Sequence, residues 1–262
     1  MILVHSMILF ASPISSKRYN PLIMTLKGFN LLQAEANKCL GLTLTDQQMA
    51  SLARYASELI IQNQVHNLTA ITEPQQIRHK HFLDSLSCLL VLPERPGRVI
   101  DIGTGAGFPG LVLRIVRPEI QLTLVDSSTK KTGFLSHLVQ VLDLEGVTII
   151  HSRAESLGRN NDHREKYDWA VARAVARLSI LLEYLLPLVK VGGYVLAQKG
   201  GGLHQELEEA DHALTELGGV VEKEVPARIP DGEQHYLLVV RKNKPTPSQY
   251  PRREGIPKKR PL

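Results

Sequence analysis

Asp101, Gly103, Gly105, Gly107, Asp126 and Glu155 are the residues of this chain whose types and spacing could do chemistry. An apolar, β-branched run, Val99-Ile100-Asp101-Ile102, carries the first acid. It breaks into Gly103-Thr104-Gly105-Ala106-Gly107-Phe108-Pro109-Gly110 and restarts at helical spacing with Leu111-Val112-Leu113. That order reads as strand, tight turn, helix, with the turn at the carboxyl end of a buried parallel strand. Glycines there let a nucleotide-like ligand approach the backbone. Two ligands compete for the turn. Gly105 to Gly110 spells the dinucleotide pattern GxGxxG, and Asp126 follows at the distance of a ribose-binding acid. A diphosphate, however, needs free N–H groups at the helix start, and Pro109 removes one, although proline is tolerated at a first helical position. The Asp101 carboxylate would also repel it. S-adenosylmethionine carries a sulfonium and an ammonium but no phosphate, so acids at strand ends suit it. Asp126 can accept both ribose hydroxyls. Asp101 stands near the expected methionine end, and Ala154-Glu155 near the expected adenine edge. Any one of these acids reads as a solvated loop carboxylate; three at successive strand ends favour the cationic donor.

The methyl acceptor is narrowed by what is missing. Enzymes that methylate exocyclic base amines commonly follow the fourth strand with an Asn/Asp-Pro-Pro-aromatic turn, whereas this chain has Ala172-Arg173-Ala174-Val175. The two cysteines, Cys39 and Cys88, fall in the expected helical lobe and not near the turn, which argues against covalent attack on a pyrimidine. Guanine N7 owns a free lone pair and needs neither device. Holding N7, methyl and sulfur in line would supply most of the acceleration. Arg173 is the one candidate catalytic residue, placed to hold the cofactor carboxylate or guanine O6. A surface arginine paired with an acid explains it equally well.

The elements that must position these residues follow from periodicity. Leu26 to Leu40 has helical spacing. Thr45 with Gln48 three residues on is a capping-box signature for a helix through Ile60. A further helix is expected from Pro74 to Leu90, so residues 26–94 form a helical N-terminal lobe. From residue 95 to 242 strands and helices alternate, with strands at Arg98–Ile102, Gln121–Val125, Val147–Ile150, Tyr167–Ala172 and Gly193–Gln198. Helices are expected at Lys131–Leu142, Leu178–Val189 and Leu203–Leu217. Val220–Val225 and His235–Val240 leave no room for a helix between them and should pair antiparallel. The fold class is therefore α/β, a doubly wound, mostly parallel sheet with one antiparallel edge strand.

Bulk properties set outer limits. The 262 residues allow a sizeable core, and 43% hydrophobic with 22% charged residues is an ordinary globular balance. Two cysteines without metal or redox spacing fit a reducing compartment. No apolar run approaches the roughly 20 residues that span a bilayer. The formal charge of +5 is uneven. Arg241 to Leu262 holds eight Lys or Arg and one Glu, leaving about −2 on the rest. Residues 243–262 thus read as a basic C-terminal tail without a core, suited to a polyanion or simply solubilising. Residues 1–25 read as a disordered extension or a start placed too early, with Met24 the true beginning. Ser15, Ser16, Lys17 and Arg18 also have the flavour of an organellar transit peptide. Asn67-Leu68-Thr69 is formally a glycosylation sequon, read instead as packing or RNA-facing.

Asp101 to Gly110 resembles the glycine motif of the RsmG (GidB) family of bacterial methyltransferases. The resemblance extends to His66-Asn67-Leu68-Thr69, His81-Phe82-Leu83-Asp84-Ser85-Leu86, Val171-Ala172-Arg173-Ala174 and Gln198-Lys199-Gly200, and covers roughly residues 26–242. It implies a Rossmann-like class I fold with S-adenosyl-L-methionine as cofactor. It implies N7 methylation of a guanine in 16S, small-subunit ribosomal RNA. It also implies that Gly103, Phe108, Asp126, Ser127, Ser128, Ala154, Glu155 and Arg173 bind the cofactor. A cytoplasmic monomer is expected, with no metal and no membrane span. Lys199, Arg153 and the tail are candidates for phosphate contact. The near-neutral body favours an assembled or partly assembled subunit as substrate. Two rivals stand beside this reading: an NAD-dependent oxidoreductase, and a non-catalytic RNA-binding assembly factor that keeps a cofactor pocket.

Overall fold

The computed structural model describes residues 21–173 and 175–262. The helical lobe starts with α1 (Pro21–Leu40) and α2 (Asp46–His66). The capping box at the head of α2 forms as expected: the Gln48 N–H donates to Thr45 Oγ1, and the Thr45 N–H to Gln48 Oε1. Asn67 ends α2 in the left-handed region at φ 49°. The helix expected from Pro74 to Leu90 is four geometries in one run. These are α3 (Pro74–Gln76), a π-helical stretch Ile77–Leu83, α4 (Asp84–Ser87) and a 3₁₀ turn Cys88–Leu90. The π register turns Arg78, His79 and His81 into the protein, where they and Asp84, the first residue of α4, are buried.

The sheet contains β1 (Arg98–Ile102), β2 (Gln121–Asp126), β3 (Val147–His151), β4 (Tyr167–Arg173), β5 (Val189–Gly200), β6 (Gly219–Ala227) and β7 (His235–Lys242). Its order is β3-β2-β1-β4-β5-β7-β6. The first five strands are parallel, and β7 runs antiparallel to both β5 and β6. The one reversed strand therefore lies second from the edge, inserted between its neighbours. Between the strands come α5 (Gly110–Val116), α6 (Thr129–Val141), α7 (Ala154–Gly158), α8 (Leu178–Leu185), α9 (Leu203–Glu209) and α10 (Asp211–Leu217). The single helix expected over Leu203–Leu217 is interrupted at Ala210. Two apolar clusters face opposite sides of the sheet. One joins the lobe residues Leu32, Leu52, Tyr55 and Phe82 to Leu111, Leu124 and Leu135. The other gathers Ile100, Ala170, Leu182 and Val240. The lobe thus shares its core with the sheet.

Two expectations about the chain ends meet the structure differently. Residues 1–20 of the expected extension lie outside the described residues, and α1 already starts at Pro21. The C-terminal segment, read as lacking a core, is folded on the body. Thr246, Tyr250, Pro251 and Pro257 are buried, and a short helix α11 spans Ile256–Lys259. Arg164 holds this strap by donating to the carbonyls of Thr246, Pro247 and Tyr250. Composition could not show this, because the anchors are single side chains about 80 positions upstream.

Candidate functional site

The glycine turn is pinned from three directions. Gly103, Gly105 and Gly107 have φ of 67°, 63° and 105°, which a side chain would strain. Gly107 also lies under Tyr55, where an added Cβ would sit 2.5 Å from the phenol oxygen. Tyr55 reaches over from α2 and donates to the Ala106 carbonyl at 2.6 Å. From beneath, the fully buried Asp101 accepts from Thr104 Oγ1 at 2.7 Å and the Gly110 N–H at 2.8 Å, both on Oδ2. From the side, Asp126 Oδ2 accepts the Gly105 N–H at 3.0 Å, and its Oδ1 accepts that of Ser128 at 2.9 Å.

These bonds decide between the two ligands weighed from sequence. The Gly103 and Thr104 N–H groups donate to Val125 O, those of Gly107 and Phe108 to Thr104 O, and that of Leu111 to Gly107 O. With Gly105 and Gly110 given to carboxylates and Pro109 lacking an N–H, the turn has little left for a diphosphate. At the carboxyl ends of β2 and β3 stand two carboxylates, Asp126 and Glu155, with Arg153 and Lys258 on the same cavity. A cavity of about 220 Å³ there is lined by Gly103, Asp126, Ser127, Ala154 and Glu155, together with Ser152, Arg153, Val175, Tyr184 and Lys258. Beneath the turn, Asp101 Oδ1 is a buried acceptor without a partner. Burial pushes the Asp101 carboxyl up to about 7, against the Thr104 and Gly110 bonds that lower it. Carboxylates at the ends of β2 and β3 and few free N–H groups in the turn fit a nucleoside without a phosphate.

The predicted site residues divide. Gly103, Asp126, Ser127, Ala154 and Glu155 come together on the cavity wall. Ser128 immediately precedes α6 and touches the site through Asp126. Asp101 acts on the turn from below and is not on this wall. Phe108 and Arg173 are also absent from this wall. The Phe108 ring is buried between Tyr55, at 4.9 Å and 9°, and His81, at 4.5 Å and 10°. The Arg173 guanidinium lies 5.3 Å over the same ring. It donates to Lys80 O at 2.7 Å, Asp84 Oδ2 at 3.1 Å and His81 Nδ1 at 3.3 Å. Because arginine can only donate, His81 Nδ1 accepts, and Nε2–H donates to Thr69 Oγ1 at 2.9 Å. Burial, then the Arg173 charge, lowers the His81 pKa to about 3, so the ring stays neutral. Thr69, His81, Asp84 and Arg173, all from motifs singled out in the sequence, thus form a joint between lobe and sheet. Gln198 joins it by donating to the Asp84 carbonyl.

Sequence reasoning missed Tyr55, Tyr184 and Lys258. Tyr184 is pushed up to about 12 by burial and by Glu155, with which it shares a hydrogen bond. Glu155 Oε1 also accepts the Gly255 N–H at 3.0 Å. Only the basic composition around Lys258 hinted at any of the three. Of the phosphate candidates, Lys199 is spent on Glu206 and Ala176 O, and Arg153 is paired with Glu254. Among the described residues, Asp231, Glu233 and His235 bring three metal-ligand-type atoms together. Lys80 holds Glu233 and Asp84 contacts His235, so these side chains serve the same joint.

A doubly wound sheet with its reversed strand inserted before the edge, carrying a crevice over β1 to β3 with carboxylates at two strand ends, is the architecture of class I S-adenosylmethionine-dependent methyltransferases. Within that class the chain belongs to the family described as rRNA small subunit methyltransferase G (GidB), which it matches over residues 48–235. Relatives named ribosomal RNA small subunit methyltransferase G include one from Roseiflexus castenholzii, 50% identical over 222 residues, covering 85% of this chain and 95% of its own. Another, from Leuconostoc mesenteroides, is 47% identical over 231 residues, covering 87% and 97%. A solved 16S rRNA adenine N1-methyltransferase from Catenulisporales acidiphilia shows a partial likeness. Its TM-score is 0.46 at 15% identity, over 57% of this chain and 86% of that one.

Proposed function

We propose that this protein transfers a methyl group from S-adenosylmethionine to N7 of a guanine in 16S, small-subunit ribosomal RNA. The observation that carries the donor half is the turn most of whose N–H groups are consumed internally while Asp126 and Glu155 line the crevice. The acceptor half rests on the family and on the absence of devices for other atoms. Cys88 is fully buried in the lobe and serves no nucleophilic role, and β4 leads into Arg173 without an Asn/Asp-Pro-Pro turn.

Bound in the crevice, S-adenosylmethionine supplies an electrophilic methyl on a sulfonium. Asp126 would hold the ribose hydroxyls on the lone pairs left after its two backbone bonds. Gly103 lets the donor lie against the turn, and Ala154 with Glu155 would face the adenine. N7 brings its own lone pair, so no residue has to remove a proton. The protein's part is alignment, exclusion of water and a fixed field. Phe108 and Arg173 would then act on the donor through the turn and the lobe joint. We take the working form to be a cytoplasmic monomer without a metal, acting on an assembled or partly assembled subunit. Among the described residues no helix is long and apolar enough to cross a membrane.

The test is transfer of a labelled methyl from S-adenosylmethionine to small-subunit rRNA, followed by mapping of N7-methylguanosine. Naked rRNA and purified particles are run side by side. Label at a single guanine N7, faster on particles, is expected. Equal rates would remove the particle preference, and binding without transfer would leave an assembly factor instead.

A further inference from the structure

The basic tail is two things at once, and the structure separates them. Of the eight cations from Arg241 to the end, Lys242 and Arg252 are structural. Lys242 Nζ is buried on Glu165 and the carbonyls of Leu186 and Val189. Arg252 grips the fully buried Glu183 with its backbone N–H and its guanidinium. Pro251 packs on Gly158, where an added Cβ would meet it at 2.9 Å. Past this anchor the strap runs along the rim of the donor crevice. Gly255 donates to Glu155, and Lys258 lines the cavity itself. The strap's one acid, Glu254, is spent on Arg153 at 3.3 Å and on the Ser156 hydroxyl. Arg253, Lys258, Lys259 and Arg260 remain exposed, and none is in an ion pair among the described residues.

We propose that this strap is a built phosphate-binding rim, which grips the sugar-phosphate backbone of the RNA beside the nucleotide entering the donor crevice. The inference rests on the rRNA reading above. Charge complementarity selects the occupant. The body carries about −2, while four unneutralised cations crowd one short ordered segment at the mouth of the site. Phosphate contacts fix register without reading sequence, which is what a residue set of this kind can do. Because the strap is already folded, gripping RNA costs little further ordering. The body's charge explains why the grip must be local.

The full-length triple variant Arg253→Gln, Lys259→Gln, Arg260→Gln tests this, with Lys258 left in place because it lines the cavity. Binding to small-subunit rRNA is measured across salt concentrations with S-adenosylhomocysteine present, and methyl transfer is measured in parallel. The expected slope of log affinity against log salt is shallower by about 2, at roughly 0.7–0.9 per lost phosphate contact. The KM for RNA should rise about tenfold near physiological salt, with kcat and S-adenosylhomocysteine affinity unchanged. The charge-preserving variant Arg253→Lys, Lys259→Arg, Arg260→Lys should restore both. An unchanged slope and KM would overturn the rim. So would a KM effect seen on particles but not on naked rRNA, which would mean that the cations face an acidic protein. Wild-type protein that binds rRNA with a rim-dependent slope yet transfers no methyl would sink the reaction reading and leave the rim supported.

Discussion

Asp126 does two jobs with one carboxylate, and that determines how its loss will look. Its oxygens already accept the Gly105 and Ser128 N–H groups, so Asp126→Ala removes turn bonds along with any ribose bonds. S-adenosylhomocysteine binding should weaken by about 1–3 kcal/mol, the scale of charged hydrogen bonds, as read by calorimetry. Unchanged binding would show the ribose assignment to be wrong. Asp101 makes a different prediction. Its carboxyl is raised to about 7 in the fold against an ordinary value of 3.8. Between those values the folded state binds more proton than the unfolded chain, so stability falls as pH rises through that window and levels off above it. Asp101→Asn keeps an oxygen for Thr104 and Gly110 but has no such titration. Urea midpoints at pH 5 and pH 8 should therefore differ more for the wild type than for the variant. Both acids stood out in the sequence because each lies at or next to the end of a strand, and strand ends are local features. Their division of labour was not legible there, since it depends on which N–H groups fold back onto them.

At the scale of elements, the lobe and the strap both act on the glycine turn from a distance. Tyr55 on α2 ties the Ala106 carbonyl. Tyr55→Phe keeps the stack on Phe108 but orphans a buried acceptor, for a loss of about 1–3 kcal/mol in chemical unfolding. Arg252→Ala leaves Glu183 buried without its cation. Uncompensated charges of that kind cost about 3–5 kcal/mol when fully buried, and the retained backbone bond should hold this one near the lower figure. A thermal-shift comparison with Arg253→Ala, whose side chain is exposed, checks it. Local pattern reached the capping box at Thr45 and the bounds of β1, because both are set by neighbours within a few residues. It could not reach the contacts of Arg173 with Lys80, His81 and Asp84, about 90 positions apart, nor that of Glu155 with Gly255. Those depend on packing alone, and so a buried cation such as Lys242 was counted with the solvent-facing ones.

For the whole molecule, the continuous cluster from Leu32 and Tyr55 to Leu111 and Leu135 makes lobe and sheet one cooperative unit. Urea unfolding followed by the fluorescence of Trp169, which sits in the sheet, and by far-ultraviolet circular dichroism should give coincident transitions. A fragment beginning at residue 95 should fail to bind S-adenosylhomocysteine, because it lacks Tyr55, His81 and Asp84. The inserted strand has a consequence for how such a chain is made. β5 finds its final neighbour only when β7 arrives, and β6 cannot dock before it. During synthesis the hydrogen-bonding edge of β5 therefore stays naked from Gly200 until His235 emerges, roughly 2–7 s at usual translation speeds. An open strand edge is a template for mispairing with other nascent chains. Newborn copies of this protein should lean on chaperones in that interval, and slow codons placed between those two residues should lower the yield of soluble enzyme.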